Sequence, residues 1–143
     1  MARHIFNIDG YHVPLFVLIH KNRPILTMEG HAHDRAEKYL LMRRVAAEVR
    51  MRGADAVIAI NEAWTAAPDP DDPFRYPVDM PVRGEVLLLS ACSKDGKMFQ
   101  LSATIHRADD KPRLDKSIEE DTGMAFIVAP VLEVWARGSK GAL

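Results

Sequence analysis

A chain of 143 residues with 48% hydrophobic and 27% charged content has the size of one domain and lies far from the compositions that stay disordered. Its 19 basic and 20 acidic residues leave a formal net charge of -1, which gives no pull toward phosphate backbones or anionic lipid, so neither nucleic acid nor a membrane is an expected partner. Cys92 is the one cysteine, which excludes an intramolecular disulfide or a Cys-based zinc site within the chain and fits a reducing compartment.

The N-terminus shows no apolar stretch of signal-peptide length, and the apolar run Val13 to Ile19 is far too short to span a bilayer. The expectation is a cytoplasmic, single-domain protein over residues 1–143. Val13 to Ile19 and Ile25 to Met28 read as two strands, separated by the break His20-Lys21-Asn22-Arg23-Pro24. The spacing then predicts a helix over Asp34 to Arg52: Asp34 can cap the first turn, Glu37 can reach back as in a capping box, and Gly53 supplies the left-handed stop. On a helical wheel Tyr39, Leu41, Met42, Val45, Ala46 and Val49 form a broad apolar stripe, and Ala36, Leu40, Ala47 and Met51 a second, narrower one. A helix on the outside of a monomer usually needs only the first.

Asp55 to Trp64 reads as a strand entered almost directly from that helix. Residues 66–83 carry Pro68, Pro70, Pro73, Pro77 and Pro81 among Asp69, Asp71, Asp72 and Asp79, so they form a long surface loop stiffened by proline and serving contact. Glu85 to Cys92 and Met98 to His106 flank Lys94-Asp95-Gly96-Lys97, the pattern of a hairpin. Residues 107–123 are polar, with a short helix expected around Lys116 to Asp121. Met124 to Trp135, interrupted by Pro130, reads as a further strand, and 136–143 as a frayed tail. The fold class expected is α+β, a mostly antiparallel sheet with one principal helix packed on it.

The block from Arg35 through Ala56-Val57-Ile58-Ala59-Ile60-Asn61-Glu62-Ala63-Trp64, the proline-rich stretch and Arg83-Gly84-Glu85-Val86-Leu87-Leu88 resembles small bacterial and prophage proteins of no established activity. The resemblance implies a bacterial or mobile-element origin and brings no chemistry with it.

Two constellations could carry chemistry. His31-Ala32-His33-Asp34 can place two imidazoles on one divalent cation, with Asp34 as a third ligand. Against this, Asp34 is the expected helix cap, and a short motif without further ligands is a common surface feature. Glu62 shares a strand face with Ile58 and Ile60 and sits just ahead of the proline-rich loop with Asn61 and Trp64, where an acid and an aromatic can line a pocket or simply mark the solvent edge. Cys92 lies on an apolar strand, where a thiol behaves as a small buried hydrophobe.

No nucleophile elbow and no phosphate-cradling glycine loop is present. The excess of basic residues on the helix (Arg35, Lys38, Arg43, Arg44, Arg50 and Arg52) lacks the aromatic or glycine-rich partners of a nucleic-acid site. The strong features are packing surfaces, so the favoured reading is a non-enzymatic interaction or assembly module that forms a homo-oligomer and needs no cofactor. Strands that are apolar on both sides, with one helix to cover them, motivate the oligomer. The alternative is a small metal-dependent hydrolase in which His31 and His33 hold the metal and Glu62 serves as a further catalytic candidate.

Overall fold

The computed structural model describes residues 1–67, 69–72, 75, 79–81, 83–107, 111–120 and 129–141, with only the backbone described at 120 and 139–141. Among these residues strands β1 (Leu15–His20), β2 (Arg23–Glu29), β3 (Ala56–Thr65), β4 (Gly84–Ser93), β5 (Met98–His106), β6 (Arg113–Leu114) and β7 (Ile118–Glu120) form one sheet. Its order is β2-β1-β3-β4-β5-β6, with β7 also paired to β5, and every pairing is antiparallel. Helices α1 (Ala2–Asp9), α2 (Arg35–Arg52) and α3 (Ala129–Gly141) complete the fold. The α+β class and antiparallel sheet agree with the sequence reading; the single principal helix does not.

The chain reverses between β1 and β2 at Lys21 and Asn22, whose φ angles of 49° and 63° are those of a two-residue turn matched to strand twist. Helix α2 starts where Asp34 accepts a hydrogen bond from the Glu37 amide at 2.8 Å, and the Glu37 carboxylate accepts from the His33 amide at 2.6 Å. The box thus reaches one residue further back than the usual cap. It ends at Gly53, whose φ of 67° is left-handed.

Leu41, Met42, Val45, Ala46 and Val49 of α2 are buried, as the wheel requires. Tyr39 is not: it stands out in solvent with the Arg43 guanidinium 5.9 Å from its ring centre.

Three sequence expectations fail, each for a definite reason. Met124 to Trp135 was expected as strand, but from Ala129 the chain is helix α3. Pro130 suits the first turn, where its missing N–H costs nothing, and Val131 and Trp135 lie one turn apart. Both are buried against α2, and the Trp135 indole donates to the Ala54 carbonyl at 2.9 Å. Residues 124–128 lie outside the described ones. The same helix runs on to Gly141 where a tail was expected over 136–143. Finally, Ile118–Glu120 is strand β7 rather than a helix around Lys116 to Asp121, because the open edge of β5 offers hydrogen bonds that a lone helical turn cannot match.

The sheet is covered on both faces. On one, Phe16, Leu18, Val57 and Cys92 meet α2 and α3; on the other, Ile60, Leu87 and Ile105 meet Phe6 of α1, which is fully buried. The apolar character of β3 and β4 on both sides is thereby used within one chain. At the edges, β2 carries Pro24 and a register shift opposite Leu18 and Ile19, while β6 and β7 are two and three residues long. Edges of this kind resist strand-to-strand addition.

In the proline-rich loop the Arg75 guanidinium holds the Asp69 carboxylate at 3.5 Å and the Asp79 carbonyl at 2.7 Å. Phe74 and Tyr76 lie outside the described residues.

Replacing Asp34 by Ala is expected to destabilise the protein by about 1 kcal/mol, and by Asn much less, because only the first removes the acceptor for the Glu37 amide. Urea midpoints of the two variants check this; equal losses would show that the cap contributes nothing specific.

Candidate functional site

The densest polar cluster surrounds Glu62, on the α1 side of the sheet. Period two places Glu62 and Trp64 in line with Ile58 and Ile60, and the β3–β4 register sets Trp64 opposite Glu85. Arg107, just past β5, spans the two strands. Its Nε donates to Glu85 Oε2 at 2.7 Å, one terminal nitrogen to Glu62 Oε2 at 3.1 Å, and the other to the Gly10 carbonyl at 3.4 Å.

Glu62 Oε1 accepts from the His12 amide at 3.0 Å. The Glu85 hydrogen bond above all, with the charges of both carboxylates, raises Arg107 above its already high ordinary pKa, so it stays a cation throughout the accessible range. One guanidinium thus ties β3, β4 and the chain after α1 together.

Each Glu62 oxygen already has a donor, which is the chemistry of a fastening more than of a base awaiting a substrate proton. Asn61 donates to the Glu62 carbonyl at 3.3 Å, and Arg83 stacks over Trp64 at 4.4 Å from the ring centre. His12 is buried at 4% exposure, and its Nδ1 lies 2.7 Å from the Val13 carbonyl. A carbonyl only accepts, so Nδ1 carries the proton; Nε2 is buried without a hydrogen-bond partner among the described residues.

A second cluster fastens the other end of α1. Arg3 donates to the Asp115 carbonyl at 2.5 Å and to the Ser117 hydroxyl at 2.9 Å, and the Asp115 carboxylate meets His106 Nε2 at 2.7 Å. That hydrogen bond, with the charges of His106, Arg113 and Arg3, holds the Asp115 carboxyl below the usual range against a smaller opposing effect of desolvation.

His31 and His33 are both exposed and border an open depression of about 370 Å³ with Glu29, Glu37 and Arg44. The Asp34 carboxylate is engaged at the helix cap and Glu37 with the His33 amide. Among the described residues no three His, Cys, Asp or Glu side chains are gathered as a metal site would need. Glu62 and the His31/His33 pair are in separate places, Glu62 in the Arg107 cluster and the histidines at the start of α2. Cys92 is buried at 2% exposure and burial pushes its thiol up to about 11, which leaves it protonated and inert at neutral pH.

Sequence reasoning singled out Glu62 through its strand period. It missed Arg107, Glu85 and His12, which lie far from Glu62 along the chain and meet it only through strand pairing. The outward side of α2 is the remaining feature: Ala36, Leu40, Ala47 and Met51 are all exposed, Leu40 at 61% and Met51 at 74%. Arg43, Arg44 and Arg50 stand exposed along its margins.

A family model described as bacteriophage lambda protein ea47 matches residues 1–142. No curated protein and no solved structure gives a match. The match agrees with a prophage-type origin and, spanning nearly the whole chain, does not single out the helix and Glu-Ala-Trp block.

Arg107→Ala is expected to lower stability by about 1–2 kcal/mol, a charged hydrogen-bonding loss reduced by its partial exposure to solvent. Glu62→Gln, which keeps an acceptor for the His12 amide, should cost less. Denaturant titration of both decides it, and an unchanged Arg107→Ala midpoint would mean that solvent screens the cluster completely.

The Asp115 shift has a sign that can be tested. A carboxyl whose folded value lies below its unfolded value of ~3.9 contributes stability above that pH and loses it as the pH falls through the folded value. Wild type should therefore exceed Asp115→Asn in urea resistance at neutral pH and converge with it in strong acid; a gap that persists there would assign the effect to something other than ionisation.

Proposed function

The chain belongs to the family of bacteriophage lambda protein ea47, and on that premise we propose that it is a non-enzymatic assembly module that associates with copies of itself through the outward side of α2. The observation that carries this is the second apolar stripe: Ala36, Leu40, Ala47 and Met51 occupy one line of the helix, and all four face solvent. Burying a leucine or methionine fully is worth about 1.5–3 kcal/mol, and a monomer forgoes that at Leu40 and Met51.

The other motive for an oligomer, a sheet face left open, is removed by α1 and α3. The best-defined acid, Glu62, is held in a fastening, which supports assembly over catalysis. A cytoplasmic setting is part of the proposal, in keeping with a lone buried thiol and with the absence, among the described residues, of any helix long and apolar enough to cross a membrane. The hydrolase alternative has no matching observation, since His31 and His33 are not joined by a third ligand among the described residues.

Light scattering on a sizing column should give a multiple of the 16.0 kDa chain mass at micromolar concentration. Leu40→Glu with Met51→Glu should return the single-chain mass without lowering the melting temperature. A wild-type mass of one chain overturns the proposal.

A further inference from the structure

We infer that α2 pairs antiparallel with α2 of a second copy about a two-fold axis between Arg43 and Arg44, and that the guanidiniums of Arg43 and Arg50, brought together along one side of that pair, bind a multivalent oxyanion of the phosphate class. The inference rests on the self-association proposed above and adds its geometry and its ligand.

The geometry follows from the sizes of the four stripe residues. Leu40 and Ala47 stand at equal distances along the helix from the point between Arg43 and Arg44, and so, further out, do Ala36 and Met51. An antiparallel two-fold through that point sets Leu40 against the partner's Ala47 and Ala36 against the partner's Met51, so that a large side chain meets a small one at every level. A parallel pair would set Leu40 against the partner's Leu40 and Ala47 against the partner's Ala47, crowding one level and leaving a void at the other. The stripe is complementary to itself in the antiparallel sense.

The charges beside it are not. On a helical wheel Arg43 and Arg50 lie on one margin of the stripe with Tyr39, and Arg44 lies on the other with Glu37 and Glu48. All three arginines are exposed. The two-fold that reverses the helix keeps each margin against its own copy, so Arg43 comes within about 1.5 Å, one residue's rise, of the level of the partner's Arg43. On the Arg44 margin carboxylates stand among the cations, and Glu48 already holds Arg52 at 2.7 Å. The Arg43 margin carries no carboxylate of α2. Among the described residues neither Arg43 nor Arg50 has an acidic partner, and Arg43 lies over the Tyr39 ring, 5.9 Å from its centre.

Each copy therefore brings two guanidinium groups, on residues about 10 Å apart along the helix, to a margin with no opposite charge from the helix itself. Like charges so placed oppose the contact. An anion between them reverses the sign, and the forked N–H donors of a guanidinium match the oxygens of phosphate or sulfate as they cannot match a chloride ion. Such a site exists only in the pair, so filling it tightens association by mass action. With alanine at two of its four positions the stripe is a small contact by the standard of stable dimers, which leaves association sensitive to this charge.

Sedimentation equilibrium in sodium chloride and in sodium phosphate, at one pH and one ionic strength, tests the site. Wild type should dimerise about tenfold more tightly in phosphate. Arg43→Gln with Arg50→Gln, both exposed positions, should dimerise equally in the two salts and at least as tightly as wild type does in chloride. Wild type that is no tighter in phosphate, or a double variant that still responds to it, overturns the anion site and leaves self-association through α2 standing. A wild-type protein of single-chain mass in both salts overturns both. Cysteines read the pairing: under a mild oxidant, Leu40→Cys mixed with Ala47→Cys should give a disulfide-linked dimer that neither gives alone, the native Cys92 being buried. Crosslinking of Leu40→Cys to itself, or a mixture that stays unlinked while wild type dimerises, overturns the antiparallel two-fold.

Discussion

Strand β3 presents Val57 and Ala59 to one side and Ile58 and Ile60 to the other, and neither set can be left to water. That requirement organises the molecule. The strand is flanked in the sheet by β1 and β4, which satisfy its backbone, and it is overlaid by helices on both sides, which satisfy its side chains. Helix α2 and helix α3 share the larger task; α1 supplies the other face through Phe6 alone among its buried residues. A helix of eight residues anchored by one aromatic side chain has little stability of its own.

The polar clusters at the two ends of α1 answer that weakness. Arg3 clasps the chain between β6 and β7, and Arg107 grips the carbonyl of Gly10 while joining Glu62 and Glu85. Both arginines make several directed contacts to acceptors on other elements, so geometry rather than net charge gives them their value. Glu62 belongs to this fastening, and a carboxylate at the end of an apolar strand row is accounted for without a substrate.

Much of the fold was legible because its signals are local. Asp34, Glu37 and Gly53 mark the ends of α2 by short-range hydrogen bonding, and Asp95-Gly96 marks the hairpin by backbone preference. Helix α1 escaped notice because its amphipathic pattern is short and its single buried residue, Phe6, has no partner nearby in sequence. Residues 129–135 were misread because a short apolar run has no decisive period, and Pro130 can open a helix as well as interrupt a strand. In the candidate site Glu62 was visible from strand alternation. Arg107 was not, since its partners Glu62, Glu85 and Gly10 are 45, 22 and 97 residues away along the chain.

The order of the strands in space also bears on how the chain assembles during synthesis. From β3 onward each strand lies beside the one made just before it, through β4 to β5, so these pairings can form as the chain emerges. The N-terminal helix cannot follow that schedule. Phe6 packs with Leu87 and Ile105, which the ribosome adds roughly eighty to a hundred residues later. The first helix to be made is thus held in waiting, its apolar side uncovered, until β5 is out. Strands β6 and β7 and helix α3, whose Trp135 seals the opposite face against Ala54, are still to come. Both covering layers are therefore completed only after β5 has been made.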